Sequence, residues 1–329
     1  MDGAGKPRRK GEDAMCQVTE WTFPSADGRH TAYATTWAPE GGRVRAVIQI
    51  THGMMEHIGR YDRFARSLCG QGFLVCGGDH LGHGRTASEP GDLGYFAERD
   101  GVSCLVEDEE RIRRKMQAQY PDKPYFLLGH SMGSFITRRY ITLHGEGLAG
   151  YICCGTAGRN PLAGLGIFLA GLLCRIQGGR HIGRFLNKLA FQNYNKRIEN
   201  PKTPLDWLSR DIEGYPDASG DPKCHFIFTN SGFRDLFRLL DSVSGRKWSG
   251  RVPKGLPIAL FSGEMDPVGS YGRGVRQVYG WLKAAGVRDV TLKLYPGARH
   301  ELHNELNRDE FTADLVGWME ARIDGGQAG

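Results

Sequence analysis

A serine with glycines two positions away on each side, Gly129-His130-Ser131-Met132-Gly133, stands between an apolar strand-like run at 125–128 and a helical pattern at 132–143. A strand that turns into a helix this tightly points the serine hydroxyl out of the fold, and the turn leaves no room for side chains at the two flanking positions. Ser131 is therefore the expected nucleophile, on an elbow formed with Gly129, His130 and Gly133. A serine nucleophile needs a base and a carboxylate to orient that base. Asp266 follows a strand-like run at 258–261 and a Ser-Gly-Glu-Met turn, and His300 follows the run 290–295 and a Pro-Gly-Ala-Arg turn. All three sit just beyond the carboxyl end of an expected parallel strand, where open α/β sheets gather their ligands. Glu264 competes with Asp266, and His303 with His300. The Asp-Pro-Val turn favours Asp266 and the strand-end position favours His300, leaving His303 as a surface or supporting hydrogen-bonder.

The chain order Ser, Asp, His is the one expected of α/β-hydrolases and differs from the orders of the chymotrypsin-like and subtilisin-like proteases. In that fold one oxyanion amide comes from the loop after the third strand and the other from the residue after the nucleophile. His52-Gly53-Met54-Met55-Glu56-His57 follows an apolar run that ends at 51. The expected donors are thus the backbone N–H groups of Met54 and Met132, which do not depend on side-chain type. His52, Gly53, Glu56 and His57 support that loop, and Glu56, Arg60 and Asp79 form a polar group that braces it.

Other chemistries find little footing. His52, His57, His80 and His83 lack an H-E-x-x-H pattern, and His300 and His303 have the wrong spacing for one, so no metal is expected. No Walker or dinucleotide fingerprint is present, since Gly164-Leu165-Gly166 lacks the third glycine, and no cofactor is expected. A net charge of +6 from 43 basic and 37 acidic residues, scattered without an aromatic-interleaved stripe, excludes a nucleic-acid partner. Eight cysteines without C-x-x-C spacing read as buried small residues. Residues 1–20 hold no apolar core of the secretory kind, so a reducing, cytoplasmic setting is expected. Nothing in the sequence sets an oligomeric state.

The elements that must position these residues alternate. Strand and helix signals run from about 18 to 155 and resume at 256, the pattern of a mostly parallel, eight-stranded sheet with helices on both faces. The first two strands form a hairpin. Residues 1–15 are read as a polar, basic tail in which Met15 offers a second start, 16–155 and 231–329 as the core, and 156–230, where alternation stops, as an inserted helical cap over the serine. Within the cap, 162–176 is strongly apolar, too short for a membrane span and followed by Arg175, Arg180, Arg184 and Lys188. Two readings stand: a helix packed on the core, or transient contact with a membrane surface.

The chain resembles the monoacylglycerol lipase and lysophospholipase branch of the α/β-hydrolases, grouped with the S33-like serine aminopeptidases, over nearly everything after Cys16. Four motifs carry the resemblance: His52-Gly53-Met54-Met55-Glu56-His57-Ile58-Gly59-Arg60-Tyr61, Asp79-His80-Leu81-Gly82-His83-Gly84, the serine pentapeptide, and Gly297-Ala298-Arg299-His300-Glu301-Leu302-His303. It departs at Met55, where relatives commonly carry glycine, and in the cap sequence. The resemblance implies an α/β-hydrolase fold and ester hydrolysis through an acyl-enzyme, with a small lipid ester such as a monoacylglycerol or lysophospholipid as substrate. The same three residues would also serve an aminopeptidase or amidase, which would need a cap carboxylate for the substrate amine, from among Glu199, Asp206, Asp211 and Glu213. They would equally serve a small-molecule carboxylesterase, and the fold without its chemistry would serve as a noncatalytic ligand-binding module.

Overall fold

Runs that are apolar on both faces have no side to give to water, so they must lie in a sheet covered on both sides. The computed structural model describes residues 16–41, 43–211 and 220–325. The expected tail at 1–15, Met15 and Glu213 lie outside the described residues. One sheet contains β1 (Cys16–Pro24), β2 (Thr31–Pro39), β3 (Ala46–Thr51), β4 (Phe73–Gly78), β5 (Tyr125–His130), β6 (Gly150–Cys154), β7 (Ile258–Gly263) and β8 (Val290–Tyr295), in the order β1-β2-β4-β3-β5-β6-β7-β8. β1 and β2 form the expected antiparallel hairpin and β2 pairs antiparallel with β4, whereas the later pairings are parallel. β5 lies between β3 and β6, so the serine turn leaves from the middle of the sheet.

The helices are α1 (Asp62–Cys69), α2 (Gly101–Gln119), α3 (Met132–His144), α4 (Ala163–Gln177), α5 (Arg184–Phe191), α6 (Asn230–Ser242), α7 (Arg246–Ser249), α8 (Arg273–Ala284) and α9 (Arg308–Gly325). Strand side chains alternate between two cores. Val47, Leu127 and Leu260 pack with α2, α3 and α8, while Ile48, Leu128 and Phe261 pack with α1 and α9. α2 begins at Gly101, earlier than the apolar period from 106 indicates, because the Asp100 side chain accepts the Ser103 N–H at 3.3 Å and caps an extra turn. β5 runs two residues beyond its apolar stretch, since Gly129 and His130 still find ladder partners on β6.

Between β6 and α6 no further strand of the sheet occurs among the described residues. α4 and α6 run antiparallel: at one end Asn230 Nδ2 donates to Gln177 Oε1 at 3.2 Å and to the Gly178 carbonyl at 3.3 Å. Gly166 permits the close approach, because a Cβ there would stand 2.9 Å from the Phe237 ring. α6 also packs on α2 and α3, so it joins the inserted helices to the core. α4 buries only Ala163, Gly166 and Ala170 and leaves Leu162, Leu165, Phe168, Leu172 and Ile176 exposed, with Phe168 at 66% and Ile176 at 70%. Core packing therefore describes one face of this helix and not the other. Among the described residues no helix is long and apolar enough to cross a membrane. All eight cysteines are unpaired.

Candidate active site

Ser131 follows the last residue of β5 and precedes the first residue of α3, with φ 53° and ψ −121°. This conformation is strained for a residue with a side chain, at about 1–3 kcal/mol. Close packing enforces it. A Cβ on Gly129 would sit 2.6 Å from the Gly133 carbonyl oxygen, and one on Gly133 would sit 2.0 Å from that of Thr51. Both glycines of the pentapeptide are thus steric requirements. The Ser131 N–H donates to the Cys154 carbonyl at 3.1 Å, which ties the turn to the end of β6. Met132 opens α3, so its amide belongs to the first helical turn, whose N–H groups have no partner within the helix.

Asp266 and His300 meet beside this turn. Oδ1 of the fully buried Asp266 lies 3.0 Å from His300 Nδ1, an ion-pair distance without hydrogen-bond alignment. The same Oδ1 accepts the Val268 N–H at 2.8 Å, which fixes the carboxylate. Glu264, the rival carboxylate, is exposed. His303 is not a surface residue. It is buried and stacks on Tyr61 with ring centroids 4.5 Å apart, because the turn after His300 folds inward instead of outward. Two neighbours of His300 carry no motif signal. Gly155, at φ 56°, lies beneath the imidazole so closely that a Cβ would come within 3.0 Å of Cε1, and Trp207 places its ring 5.0 Å away. A glycine directly after β6 and a tryptophan amid polar turns were the available clues.

The loop after β3 is held by one buried carboxylate. Glu56 Oε1 accepts the Gly53 N–H and, at 3.0 Å, the Tyr61 hydroxyl, while Oε2 takes Arg60 Nη1 at 2.7 Å. His130 Nδ1 stands 3.3 Å from the same Oε1. Arg60 also grips Glu301, at 3.1 Å and 2.9 Å, and Glu301 takes Asn304 Nδ2 at 2.8 Å. Burial alone would raise the Glu56 pKa, but the His130 hydrogen bond and the Arg60 charge outweigh it and hold the carboxyl well below its usual range. Burial would likewise lower His130, and its hydrogen bond to Glu56 and the carboxylate charge raise it instead. The brace is therefore Glu56, Arg60 and Glu301, where Glu56, Arg60 and Asp79 were expected. Asp79 works separately, accepting the Ile58 N–H at 2.8 Å and the Arg85 N–H at 2.7 Å.

His52 accepts the His80 N–H at Nε2, 3.1 Å away, and burial lowers the pKa of both rings. His57 pairs with Asp221 at 2.8 Å, and the ligand atoms of His57, Asp221 and Cys224 all lie within 4.8 Å of one another. Burial pushes the Cys224 thiol up to about 12. Ser131, His300, Met54, Met55 and Met132 all border one cavity of about 690 Å³. Its far walls come from α4, α5, α6 and the 205–208 turn and are mainly Leu, Phe and Ala side chains.

The sheet order, the strained serine turn and the Asp–His pair at adjacent strand ends define an α/β-hydrolase. The chain belongs to the serine aminopeptidase S33 family, whose pattern matches residues 42–307. It is 31% identical to human monoglyceride lipase over 288 residues, 86% of this chain and 83% of the relative. It is 41% identical to the monkeypox virus monoglyceride lipase homolog over 85% of this chain and 91% of that protein. Among solved structures, a thermostable carboxyl esterase from Bacillus coagulans in complex with glycerol aligns with a TM-score of 0.87 and 36% identity, over 93% of this chain and 99% of that one.

The buried network predicts a pH signature. His130 has its native pKa raised above 6.5, so its stabilising contribution is full below that pH and is lost as pH rises through the native value. Glu56 is lowered, so its contribution is present above 4.5 and fades as pH falls through the native value. The stability gap between the wild type and His130→Phe, measured by urea unfolding, is expected to reach roughly 3 kcal/mol between those limits and to shrink as pH rises through the raised native value of His130. A gap that stays flat across that range contradicts the pairing.

Proposed function

We propose that this serine hydrolase of carboxylic esters acts on single-chain lipid esters, monoacylglycerols before lysophospholipids, through an acyl-enzyme on Ser131. Ser131 Oγ attacks the ester carbonyl carbon while His300 takes its proton, and Asp266 orients and stabilises the imidazolium. The amides of Met54 and Met132 receive the oxyanion. The tetrahedral intermediate collapses with loss of the alcohol, which leaves with the proton from His300. A water then gives a proton to His300 as it attacks the acyl-serine carbonyl, and His300 returns that proton to Ser131 Oγ as the bond to serine breaks and the fatty acid is freed.

The observation that carries this reading is the wall of the cavity. Its described lining is mainly apolar near Ser131, which suits an acyl chain worth about 0.8 kcal/mol per buried methylene. Among the described residues its two carboxylates, Glu56 and Glu301, are both bound to Arg60. An amine-anchoring carboxylate of the aminopeptidase kind is not among them. Asp206 spends its oxygens on the Lys202 and Thr203 amides, Asp211 pairs with Arg308 at 2.7 Å, and Glu199 is exposed away from the cavity. The likeness to human monoglyceride lipase supports the same substrate class. An intact Ser131, Asp266 and His300 weighs against a noncatalytic receptor.

Fatty acid release from monoacylglycerols is expected to rise from short to long acyl chains and to vanish in Ser131→Ala, while aminoacyl anilides stay untouched. Turnover by Ser131→Ala, or a sharp optimum at acetyl esters, overturns the proposal.

The substrate's location implies a surface contact through the exposed face of α4. Phe168 and Ile176 project from it, Arg175 closes its last turn, and Arg184 and Lys188 follow on α5. Arg180 is otherwise engaged, with Asp92 at 3.2 Å and over the Tyr95 ring. The double variant Phe168→Ser/Ile176→Ser should lose about tenfold or more of its partition onto phosphatidylcholine vesicles in flotation assays. Unchanged flotation removes the surface role.

A further inference from the structure

A second concavity, of about 660 Å³, lies at the junction of α3, α6 and α7, and its walls carry Arg139, Arg159, Arg246, Lys247 and Arg251. Four of these are exposed and Arg139 is half-buried. Among the described residues none of the five side chains pairs with a carboxylate, whereas Arg45, Arg60, Arg210 and Arg322 elsewhere in the fold each do. Asp241 is the single carboxylate on the wall. Five like charges around one hollow repel one another, so the arrangement is stabilised by an anion between them.

Behind Trp248, which lines the cleft, lies a further cation that does not border it. Arg138 is completely buried, places its guanidinium 4.3 Å over the Trp248 ring, and bonds to the Thr156 hydroxyl and to the carbonyls of Ala157 and Val243, with no carboxylate among these partners. Trp248 Nε1 returns a hydrogen bond to the Arg138 carbonyl at 2.7 Å. The end of α6 is thereby served by Arg138, and the five outer cations have no such structural task.

Position selects the ligand. α4 and α6 are antiparallel, so the start of α4, with exposed Leu162 and Leu165, lies beside the end of α6 where the cleft opens, and Arg159 borders both the cleft and the acyl cavity. We propose that this cleft binds the phosphate headgroup of an anionic phospholipid and directs the apolar face of α4 onto anionic membranes. Arginine suits the task, since its guanidinium takes phosphate oxygens in pairs. This site rests on the surface contact of α4 and adds charge selectivity to it. Loss of binding to neutral vesicles would sink that contact alone, whereas loss of selectivity between vesicle types would sink this inference.

The test is co-sedimentation of the full chain with vesicles of phosphatidylcholine alone and with one-fifth phosphatidic acid, beside Arg246→Gln/Arg251→Gln and a control pair, Lys123→Gln/Lys283→Gln, whose exposed cations do not border the cleft. The wild type is expected to prefer the anionic vesicles. The cleft pair should lose about thirtyfold of that binding, the factor two surface cations supply at an anionic membrane, with hydrolysis of a soluble short ester unchanged. The control pair should lose at most a few-fold. Equal wild-type binding to both vesicles, an equal loss in the control pair, or full displacement by millimolar glycerol 3-phosphate, which would assign the cleft to a free phosphate, each overturns it.

Discussion

Glu56 is a carboxylate withdrawn from water, and the geometry around the serine depends on how that cost is met. A lone buried carboxylate would neutralise or unfold its surroundings. Here the Gly53 amide, the Tyr61 hydroxyl, Arg60 and His130 converge on its two oxygens. Three of these partners lead to different parts of the site. Gly53 precedes Met54, His130 precedes Ser131, and Arg60 reaches 241 residues along the chain to Glu301, the neighbour of His300. The three loops that carry Met54, Ser131 and His300, the proposed oxyanion donor, nucleophile and base, are therefore tied to one charge. Gly53 can approach so closely that a Cβ on it would stand 3.0 Å from that of Ser131.

The inserted segment is fastened to the same loop. The His300 and Glu301 amides donate to the Trp207 and Leu208 carbonyls at 3.4 Å and 2.8 Å, and Arg299 reaches the carbonyls of Asp206 and Ser209. The 206–209 turn is thus bonded directly to the loop that carries His300. The other end of the inserted segment, α4, offers large apolar side chains to solvent. A roof bonded beside the chemistry and apolar on its outer face suits a substrate that arrives from a lipid phase.

What can be read from the sequence is local. The serine turn, the Asp-Pro-Val turn and the strands feeding them follow from contiguous residues, because strain, turn chemistry and two-sided burial act over a few positions. Glu56 and Arg60 are legible as a brace, but not Glu301 as its third member, since nothing near position 301 announces a partner at 60. The sequence leaves His303 as a surface or supporting residue for the same reason: its burial is decided by contact with Tyr61. Gly155 resembles any strand-ending glycine until the His300 ring stands against it. The basic cleft draws on three separate segments, so its charges look scattered along the chain.

The most direct test of the Glu56 claim is to compare Glu56→Gln with the wild type for both kcat on a soluble ester and affinity for a boronic acid that mimics the tetrahedral intermediate. The amide keeps the shape but loses the charge that holds the Gly53 loop. The account predicts a fall of about a hundredfold in kcat and a matching loss of boronate affinity, with KM nearly unchanged. Unchanged kcat and boronate affinity in a folded Glu56→Gln protein would contradict it.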